Sequence, residues 1–433
     1  MKTRGAGSGA RGTHPSRFPA LASRRRLCLP APGFGPPASV FRLLTSGLCL
    51  LAAALTACQS PRQPTAPSAP AVTTAPARAV SLPAEIAGRH FFVITRWDKN
   101  GPWRFLIDTG SSVTLVSPEF ARRYATDESA ADMPAVRVRS ADGESILLTG
   151  VKIGSMSLGP ARFDRVTALV YDFSDLSAHF GFKIDGLLGF PFFRDVTMGL
   201  DYPGAQLVLA LPDDPAPQAG VAEPFDRSRR TPLIEAQLGG RPLPLLIDSG
   251  SDGALNLNPD GLDPRYAAGP RPGVTVSTLT GDRQQEIGRL DADLTLAGTT
   301  VAKPVVELTD QLSSVGGGIL EHFKITFDQR RGIATFAAAT PGPITLGAQR
   351  SCGLSFRKTP AYWRVLSVVP GSPADEAGIE SGDLVTRING ERVEKWDLRR
   401  FETQVDRAPA LDFTLLNGRV ETTVRLATFD LVP

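Results

Sequence analysis

The stretch Phe105-Leu106-Ile107-Asp108-Thr109-Gly110-Ser111-Ser112-Val113-Thr114-Leu115 indicates how the rest of this 433-residue chain is organised. Its apolar start predicts a buried strand, and Asp-Thr-Gly predicts a tight turn at the end of that strand. A similar segment, Leu245-Leu246-Ile247-Asp248-Ser249-Gly250-Ser251, follows 140 residues later. Two aspartates that are presented in the same way can act as a general acid and base pair. The sequence therefore predicts one site shared between two similar halves.

Further landmarks repeat in the same order as the two aspartates. A polar hairpin at residues 139–144 has a counterpart at 278–283, and residues 185–189 correspond to 316–320. The strand through Asp201 corresponds to the strand through Asp328. Short alternating strands lie between Gly, Asp and Asn turns, with little helical periodicity. Together these features predict a mainly β fold built from a duplicated lobe.

The composition excludes several classes of protein. Hydrophobic residues make up 42% of the chain and charged residues 21%, as in ordinary globular proteins. Residues 1–57 hold eight of the 47 Lys and Arg residues and none of the 44 Asp and Glu residues, so the remainder is slightly acidic and no nucleic-acid partner is expected. The four histidines (14, 90, 179 and 322) show no ligand spacing. We expect them in ordinary surface or core roles, with no metal site and no cofactor.

The first 57 residues are expected to be a leader that carries a lipoprotein signal peptide. An apolar block from Val40 to Ala57 has the length of a secretory signal rather than of a membrane span. It ends in Leu55-Thr56-Ala57-Cys58, which resembles the bacterial lipobox and implies lipidation of Cys58. A plain signal peptide with an incidental cysteine is the alternative. Gln59 is not the Asp of inner-membrane retention, which favours the outer membrane facing the periplasm.

The changes in composition along the chain predict six segments. They are the leader (1–57), a disordered Pro/Ala-rich tether (58–84), a first lobe (85–211), a connector (212–230), a second lobe (231–341) and a C-terminal unit (345–433). Because two of the four cysteines lie in the leader, no disulfide framework is expected.

An apolar strand that ends in Asp-Thr-Gly or Asp-Ser-Gly resembles the aspartic proteases, whose active site lies between two related lobes. The resemblance covers about residues 86–340. The serines after the first motif are similar to the pepsin version, whereas the modest lobe size is more similar to a retropepsin subunit. The resemblance implies two duplicated β-barrel lobes in one chain, with Asp108 and Asp248 as the catalytic pair.

Two carboxyls that lie close together share one proton, because both cannot ionise easily. One would take a proton from water while the other donates to the peptide carbonyl oxygen. The supporting residues form three matched pairs: Thr109 and Ser249, Gly110 and Gly250, and Ser111 and Ser251. The first pair is expected to hydrogen-bond across the interface, and the glycines to leave room where the backbones crowd. The serine pair is expected to donate to the outer carboxylate oxygens, which favours an acidic optimum.

Two hairpins are expected to act as flaps that close over the substrate and exclude water. Their tips carry Asp142 and Gly143 in the first lobe, and Gly281 and Asp282 in the second. Neither tip contains the flap tyrosine of pepsins, which makes the pair more similar to retropepsin flaps.

One further element of the family is expected behind the first catalytic loop. Leu187-Leu188-Gly189 resembles its hydrophobic-hydrophobic-glycine segment. In the expected second copy, Gly318-Ile319-Leu320, the glycine in register is missing.

The segment Gly371-Ser372-Pro373-Ala374-Asp375-Glu376-Ala377-Gly378-Ile379-Glu380-Ser381-Gly382-Asp383-Leu384-Val385-Thr386-Arg387-Ile388-Asn389-Gly390 resembles the PDZ domain. Upstream, Cys352-Gly353-Leu354-Ser355-Phe356 is similar to the carboxylate-binding loop of that domain. The resemblance implies that the backbone N–H groups of residues 353–356 hold a peptide C-terminus, while the edge strand pairs with the peptide. Alternatively, the groove packs on the protease lobes as a structural lid. Cys352 is expected to be a buried, small apolar residue.

The leading hypothesis is an exported, lipid-anchored aspartic endopeptidase whose PDZ domain recruits or gates polypeptide substrates. Its partners would be polypeptides, a C-terminal peptide at the PDZ groove, and a membrane through the lipid anchor. A catalytically silent envelope protein that only holds peptides is the alternative, and the irregular second copy favours it. A PDZ-bearing serine protease is a third hypothesis. However, Gly250-Ser251-Asp252-Gly253 resembles a serine nucleophile turn only superficially, and no His-Asp arrangement accompanies it.

Overall fold

The computed structural model describes residues 71–74, 79–97, 100–126, 133–211 and 219–433. The leader, Cys58 and most of the tether lie outside the described residues, as does the connector segment 212–218. Within the described ranges the chain is mainly β, as the sequence predicts. None of the helices described there is long and apolar enough to cross a membrane.

The first lobe is built from short strands in which alternate residues face the core. In the strand Gln206–Ala210, Leu207 and Leu209 are buried between half-exposed neighbours, which is the two-residue period of a strand with one solvated face. The strands are β1 Ala71–Thr74, β2 Val80–Ala87, β3 His90–Trp97, β4 Asn100–Asp108, β5 Leu115–Val116, β6 Val136–Arg139, β7 Ser145–Leu148, β8 Gly150–Leu158, β9 Ala161–Val170, β10 Gly186–Gly189, β11 Thr197–Asp201 and β12 Gln206–Ala210. The helices are α1 Pro118–Tyr124, α2 Ser174–Phe180 and the 3₁₀ turn Phe190–Phe193.

The second lobe repeats this plan with fewer helical residues. Its strands are β13 Val221–Pro224, β14 Leu233–Leu238, β15 Arg241–Ile247, β16 Leu255–Leu257, β17 Tyr266–Ser277, β18 Asp282–Leu290, β19 Leu294–Leu296, β20 Thr299–Ala302, β21 Val305–Leu308, β22 Ser314–Val315, β23 Phe323–Asp328, β24 Ile333–Ala338 and β25 Ile344–Thr345. Its helix is α3 Gly317–Leu320.

The two lobes share one sheet and one core. The strand order β2-β12-β11-β23-β24-β13 runs from the first lobe into the second, and the central pair is antiparallel, with Met198 opposite Phe327. Each lobe therefore contributes three strands in mirrored order, as two related halves should. A single cluster of buried apolar side chains extends through both lobes and joins them behind this sheet.

Two predicted loop segments contain strands. Part of the predicted tether is ordered backbone: β1 pairs with β9, and β2 pairs with both β3 and β12. Within the predicted connector, β13 pairs with β24. Proline and alanine suggested an unstructured chain at both places, but β1 and β13 are the end strands of the sheet, where one side of the strand needs no hydrogen bonds. Strand β2 is interior, but residues 80–83 pair with β12 and residues 84–87 pair with β3, so Pro83 needs a partner on one side only. The other domain boundaries stay predictions.

The C-terminal unit has a separate six-stranded sheet, two helices and one additional short strand pair. Its elements are β26 Gln349–Ser351, β27 Leu354–Lys358, β28 Trp363–Val368, β29 Leu384–Ile388, β30 Glu391–Arg392, β31 Ala410–Asn417, β32 Val420–Ala427 and β33 Phe429–Val432, with α4 Pro373–Glu376, the 3₁₀ turn Val393–Lys395 and α5 Leu398–Arg407. The main sheet has the order β27-β28-β29-β31-β32, so β27 is an edge strand. It encloses its own apolar core, which includes Cys352.

The helices begin where the sequence supplies capping side chains. Ser117 precedes α1 and accepts a hydrogen bond from the N–H of Phe120 at 3.2 Å. Asp397 caps α5 in the same way, with the N–H of Arg400 at 2.7 Å. Such caps satisfy donors that the first helical turn would otherwise leave open. Of the buried residues of α5, Phe401 and Val405 pack in the core of the C-terminal unit, whereas Leu398 packs against the first lobe.

Candidate active site

Asp108 and Asp248 occupy equivalent places in the two lobes. Asp108 is the last residue of β4, and Asp248 directly follows β15. Each of these strands lies parallel to a short strand of its own lobe, β10 and β22 respectively. The strands and their registers therefore place both aspartates at the interface between the lobes.

Four hydrogen bonds tie the two aspartate loops together in a reciprocal pattern. The Thr109 N–H donates to Ser249 Oγ, and the Ser249 N–H donates to Thr109 Oγ1, both at 3.0 Å. The Thr109 hydroxyl donates to the carbonyl of Ile247, and the Ser249 hydroxyl to that of Ile107, both at 2.7 Å. Both side chains are fully buried. The pattern is the cross-interface bonding that the sequence predicts for Thr109 and Ser249.

Only glycine fits at Gly110 and Gly250, because a side chain at either position would collide with the opposite aspartate. A Cβ placed on Gly110 would lie 2.5 Å from Cγ of Asp248, and one on Gly250 would lie 2.5 Å from Cγ of Asp108. Real carbon atoms rest at about 3.5–4.0 Å from each other. Each glycine therefore faces the opposite carboxyl, which places the two carboxyls side by side at the interface.

The two carboxyl groups differ in their electrostatic surroundings. Burial, the charge of Asp248 and a hydrogen bond between the carboxyls raise the pKa of Asp108 well above its ordinary value, although the N–H of Ser111 donates to its Oδ1 at 2.9 Å. Burial also raises the pKa of Asp248, but the Gly250 N–H at 2.9 Å, the charge of His90 and the hydrogen bond to Asp108 oppose that shift. A pair with these properties shares one proton, and its apparent pKa values belong to the pair rather than to either carboxyl.

The Ser111 hydroxyl does not donate to the carboxylate as predicted, and the Ser251 hydroxyl serves as an acceptor. The Ser111 hydroxyl donates to the carbonyl of Val113 at 2.9 Å, so its single hydrogen is not available to Asp108. Ser251 Oγ accepts from Asn256 Nδ2 at 3.0 Å. For Ser111 the expectation failed because the tight turn already directs its backbone N–H at the carboxylate, and the hydroxyl is used to fix the turn.

The irregularity predicted in the second lobe is not present. In the first lobe Gly189 lies opposite Asp108 in the parallel ladder. In the second lobe Ile247 pairs with Val315, so the next position sets Gly316 beside Asp248. The element that matches residues 187–189 is therefore residues 314–316 with its glycine in register. Gly318-Ile319-Leu320 falls in α3, where the first lobe has its 3₁₀ turn. The prediction chose the wrong register, because the sequence does not show which of the three consecutive glycines directly follows β22.

The predicted flap tips contact each other. Asp142 Oδ2 accepts hydrogen bonds from the hydroxyls of Thr278 and Thr280, the former at 2.7 Å. These bonds lower the pKa of Asp142 although partial burial raises it. Gly143 and Gly281 have positive φ values of 85° and 147°, which explains glycine at both turns. The side chain of Asp282 lies outside the described residues.

Sequence reasoning missed His90, which lies between the two lobes. Its Nε2 is 3.1 Å from the carbonyl oxygen of Gly250, and its Nδ1 is 2.7 Å from that of Gly88. The ring meets Phe180 edge to face at 4.9 Å between centroids. A histidine at the first position of β3 carries no local motif. Only the pairing of β3 with β4 shows that this residue lies beside the aspartates.

Acidic side chains cluster near the second aspartate loop. Burial and the charge of Asp252 raise the pKa of Glu307 to about 8, and Gln285 donates to Glu307 at 2.5 Å. Burial and Asp252 also raise the pKa of Glu402, on α5, to about 7. The C-terminal unit therefore contributes a side chain to the surroundings of the site.

The C-terminal unit packs against both lobes through the strand predicted to bind peptides. Buried Lys358 at the end of β27 donates to the carbonyl of His179 in α2 at 2.6 Å, and Arg357 pairs with Asp175 at 3.0 Å. Ser355, in the predicted carboxylate loop, accepts from the N–H of Thr275 in β17 at 3.0 Å. The loop residues Gly353, Leu354, Ser355 and Phe356 are thus near the second flap strand. Leu354 and Phe356 are buried.

Apolar contacts complete this interface. Leu398 of α5 joins a cluster of the first lobe that includes Phe92 and Phe180. On the other side, Val369 and Val432 pack against Ile287 of the second lobe. A cavity of about 700 Å³ lies between α1, α2 and the C-terminal unit, with Lys358 and Trp363 in its lining, and it does not include the aspartates.

Comparisons with known families agree with this architecture. A family model described as aspartyl protease matches residues 93–192, and a PDZ domain model matches residues 364–402. The first match includes Asp108 and ends before Asp248, and the second lies downstream of the predicted carboxylate loop. The chain matches no curated protein. The protein therefore combines a domain of the aspartyl protease type with a C-terminal PDZ domain. In the described residues, no group of three or more acidic, histidine or cysteine side chains is placed to hold a metal ion.

Proposed function

We propose that this protein is an aspartic endopeptidase that hydrolyses peptide bonds with Asp108 and Asp248. The observation that carries the proposal is the reciprocal hydrogen bonding of Thr109 and Ser249, which holds the two aspartate loops in one geometry. Such bonding serves no purpose for two independent turns, whereas a shared-proton pair needs both carboxyls at a fixed separation. Gly316 lies beside Asp248, so the second lobe has the glycine whose expected absence favoured a catalytically silent protein.

The reaction needs one ionised and one protonated carboxyl. The ionised carboxylate takes a proton from a bound water as the water oxygen attacks the peptide carbonyl carbon. The protonated partner donates its proton to the carbonyl oxygen, which gives a neutral tetrahedral intermediate. As that intermediate collapses, one of its hydroxyl groups returns a proton to the ionised carboxylate and re-forms the C=O bond. The C–N bond breaks, and the amine nitrogen leaves with the proton that the other carboxyl had taken from water. No acyl-enzyme forms, because water is the nucleophile.

Replacement of Asp108 by Asn tests the proposal. The exchange keeps size and hydrogen bonding but removes the proton exchange that the pair needs. We expect cleavage of casein and of a mixed peptide library to be lost while the unfolding transition is retained. Asp195→Asn, at a partly exposed carboxyl of the same lobe that pairs with Arg194, is the matched control and should cleave normally. Equal cleavage by wild type and Asp108→Asn would favour the alternative, a protein that only holds peptides.

We further propose that the PDZ domain gates the cleft. Its edge strand β27, which a peptide ligand would pair with, contacts α2 of the first lobe through Lys358 and lies near β17 of the second. A C-terminal peptide that paired with β27 would compete with these contacts and loosen the flap strand. Polypeptide substrates and C-terminal peptides are thus the partners that we propose.

Lys358→Met tests the gating proposal because it keeps the apolar stem and removes the charged hydrogen bond to His179. We expect faster cleavage of folded proteins than in wild type, with little change for short peptides. Lys395→Met, an exposed lysine of the same unit, is the control. A variant with wild-type selectivity between protein and peptide would argue that the interface is only structural.

We also propose export and lipid anchoring at Cys58, from the lipobox-like sequence and the Pro/Ala-rich segment after it. The site would then face the periplasm from the outer membrane. Metabolic labelling with a radioactive fatty acid tests this directly. The label should be incorporated into the wild-type chain and not into Cys58→Ala, whereas an unlabelled wild-type chain would indicate a plain signal peptide.

A further inference from the structure

The two halves of the active site differ at one ionisable position. Extending the register of β3 with β4 by two residues from the pair Phe92–Leu106 sets His90 opposite Asp108. The same extension from the pair Leu233–Leu246 sets Thr231 opposite Asp248. The pseudo-symmetric lobes therefore carry a histidine on one side and an uncharged hydroxyl on the other.

Both ring nitrogens of His90 face carbonyl oxygens, at 2.7 Å for Gly88 and 3.1 Å for Gly250. A carbonyl oxygen can only accept a hydrogen bond. Neutral imidazole has one N–H donor, so it can satisfy one of these contacts, whereas imidazolium has two and satisfies both. The two short distances therefore fit a protonated ring held between the lobes.

We propose that His90, as an imidazolium bonded to Gly88 and Gly250, is a positioning residue that localises the negative charge of the dyad on Asp248 and leaves the proton on Asp108. The inference rests on the proposed function and adds to it an assignment of roles. Asp248 is then the base that takes the proton from water, and Asp108 is the acid that donates to the carbonyl oxygen.

The hydrogen bonds that connect His90 to Asp248 through Gly250 support this assignment. His90 holds the carbonyl of Gly250, and the N–H of the same residue donates to Oδ1 of Asp248 at 2.9 Å. The cation thus fixes the loop that presents Asp248, and its charge opposes the upward shift that burial imposes on the pKa of that carboxyl. The pKa of Asp108 is raised well above its ordinary value by burial and by the charge of Asp248.

Other charged groups around His90 come from three elements. Its neighbour Arg89 pairs with Glu321 at 3.5 Å. Glu402 of α5 reaches the Gly88 turn, since a Cβ placed on Gly88 would lie 3.7 Å from Oε1 of Glu402. Burial keeps the pKa of Glu402 near 7, so this group is partly protonated at neutral pH and is a weaker counter-charge than the dyad. Phe180 of α2 packs against the ring in an edge-to-face arrangement.

The test compares pH profiles of kcat/KM for wild type and His90→Gln, in which the amide can still donate to Gly250 but carries no charge. We expect the acid limb of the profile to move up by about one pH unit, the usual effect of losing an adjacent opposite charge. His90→Arg, which keeps a cation, should move less, and His322→Gln is a control outside the site. A His90→Gln profile that superimposes on the wild type would overturn the proposal.

A second measurement does not depend on catalysis. In the full chain with ¹⁵N-labelled histidine, the His90 ring should show the nitrogen shifts of an imidazolium at the pH of the assay, with the signal assigned by its loss in His90→Gln. A neutral tautomer would refute the inference even if peptide cleavage is normal. An imidazolium in a chain that cleaves nothing would leave the charge arrangement standing and reject the protease function instead.

Discussion

Gly110→Ala is the sharpest steric test of the active-site geometry. The new Cβ would lie 2.5 Å from Cγ of Asp248. Because carbon atoms rest at about 3.5–4.0 Å, the carboxyl or the loop must retreat by about 1 Å. A displacement of that size at reacting groups lowers kcat/KM by about 100-fold. Forcing an extra methyl into a packed interface should also lower the free energy of unfolding by about 1–3 kcal/mol.

The assay measures kcat/KM on a short peptide and urea unfolding of the same preparations. Gly347→Ala is the control, because its added Cβ would meet nothing within 4 Å. It should leave both quantities near the wild-type values, within about 0.5 kcal/mol for stability. A Gly110→Ala protein that cleaves at the wild-type rate would mean that the two carboxyls are not side by side, and the shared-proton mechanism would fall with it.

Three other outcomes follow from buried groups. Thr109→Val should lower the free energy of unfolding by about 2–4 kcal/mol, because it leaves the carbonyl of Ile247 and the N–H of Ser249 without their partner. The folded-state pKa of Glu402, about 7, exceeds its ordinary value of 4.5, so the folded state holds more protons between these pH values and stability falls as pH rises through them. Glu402→Gln should reduce that fall in urea titrations at pH 5 and 8, and the part that remains belongs to other buried carboxyls such as Glu307, whose pKa is raised to about 8 by burial and the charge of Asp252. Burial raises the pKa of Cys352 to about 11, so iodoacetamide at pH 8 should label it only after unfolding.

The sequence contained the fold and the main residues of the site for a physical reason. Strand alternation and the Asp-Thr-Gly turn are local properties, so the position of Asp108 at the end of β4 could be predicted from a few residues. Thr109 and Ser249 could be matched because the repeat places similar residues in similar turns. The aspartyl protease and PDZ matches agree with these expectations.

The features that were missed depend on register or on distant packing. Which of three consecutive glycines lies beside Asp248 is fixed by one hydrogen-bonded pair, and no local pattern encodes it. His90 lies on the strand that pairs with the Asp108 strand, and the carbonyl that it contacts belongs to a residue 160 positions away in the other lobe. The Ser111 hydroxyl was assigned by analogy between side chains, whereas the backbone of the turn determines where the hydroxyl points.

The sheet shared by the lobes has a consequence for biosynthesis. Strand β11 receives its partner β23 only after more than 120 further residues have been made, so the growing chain exposes an open edge of apolar character for that whole interval. At about 5–20 residues per second, the edge stays unpaired for roughly 6–24 s. Such edges recruit other strands, which makes this the stage at which a nascent chain needs a chaperone. Truncation before residue 323 should therefore yield aggregates rather than a soluble first lobe.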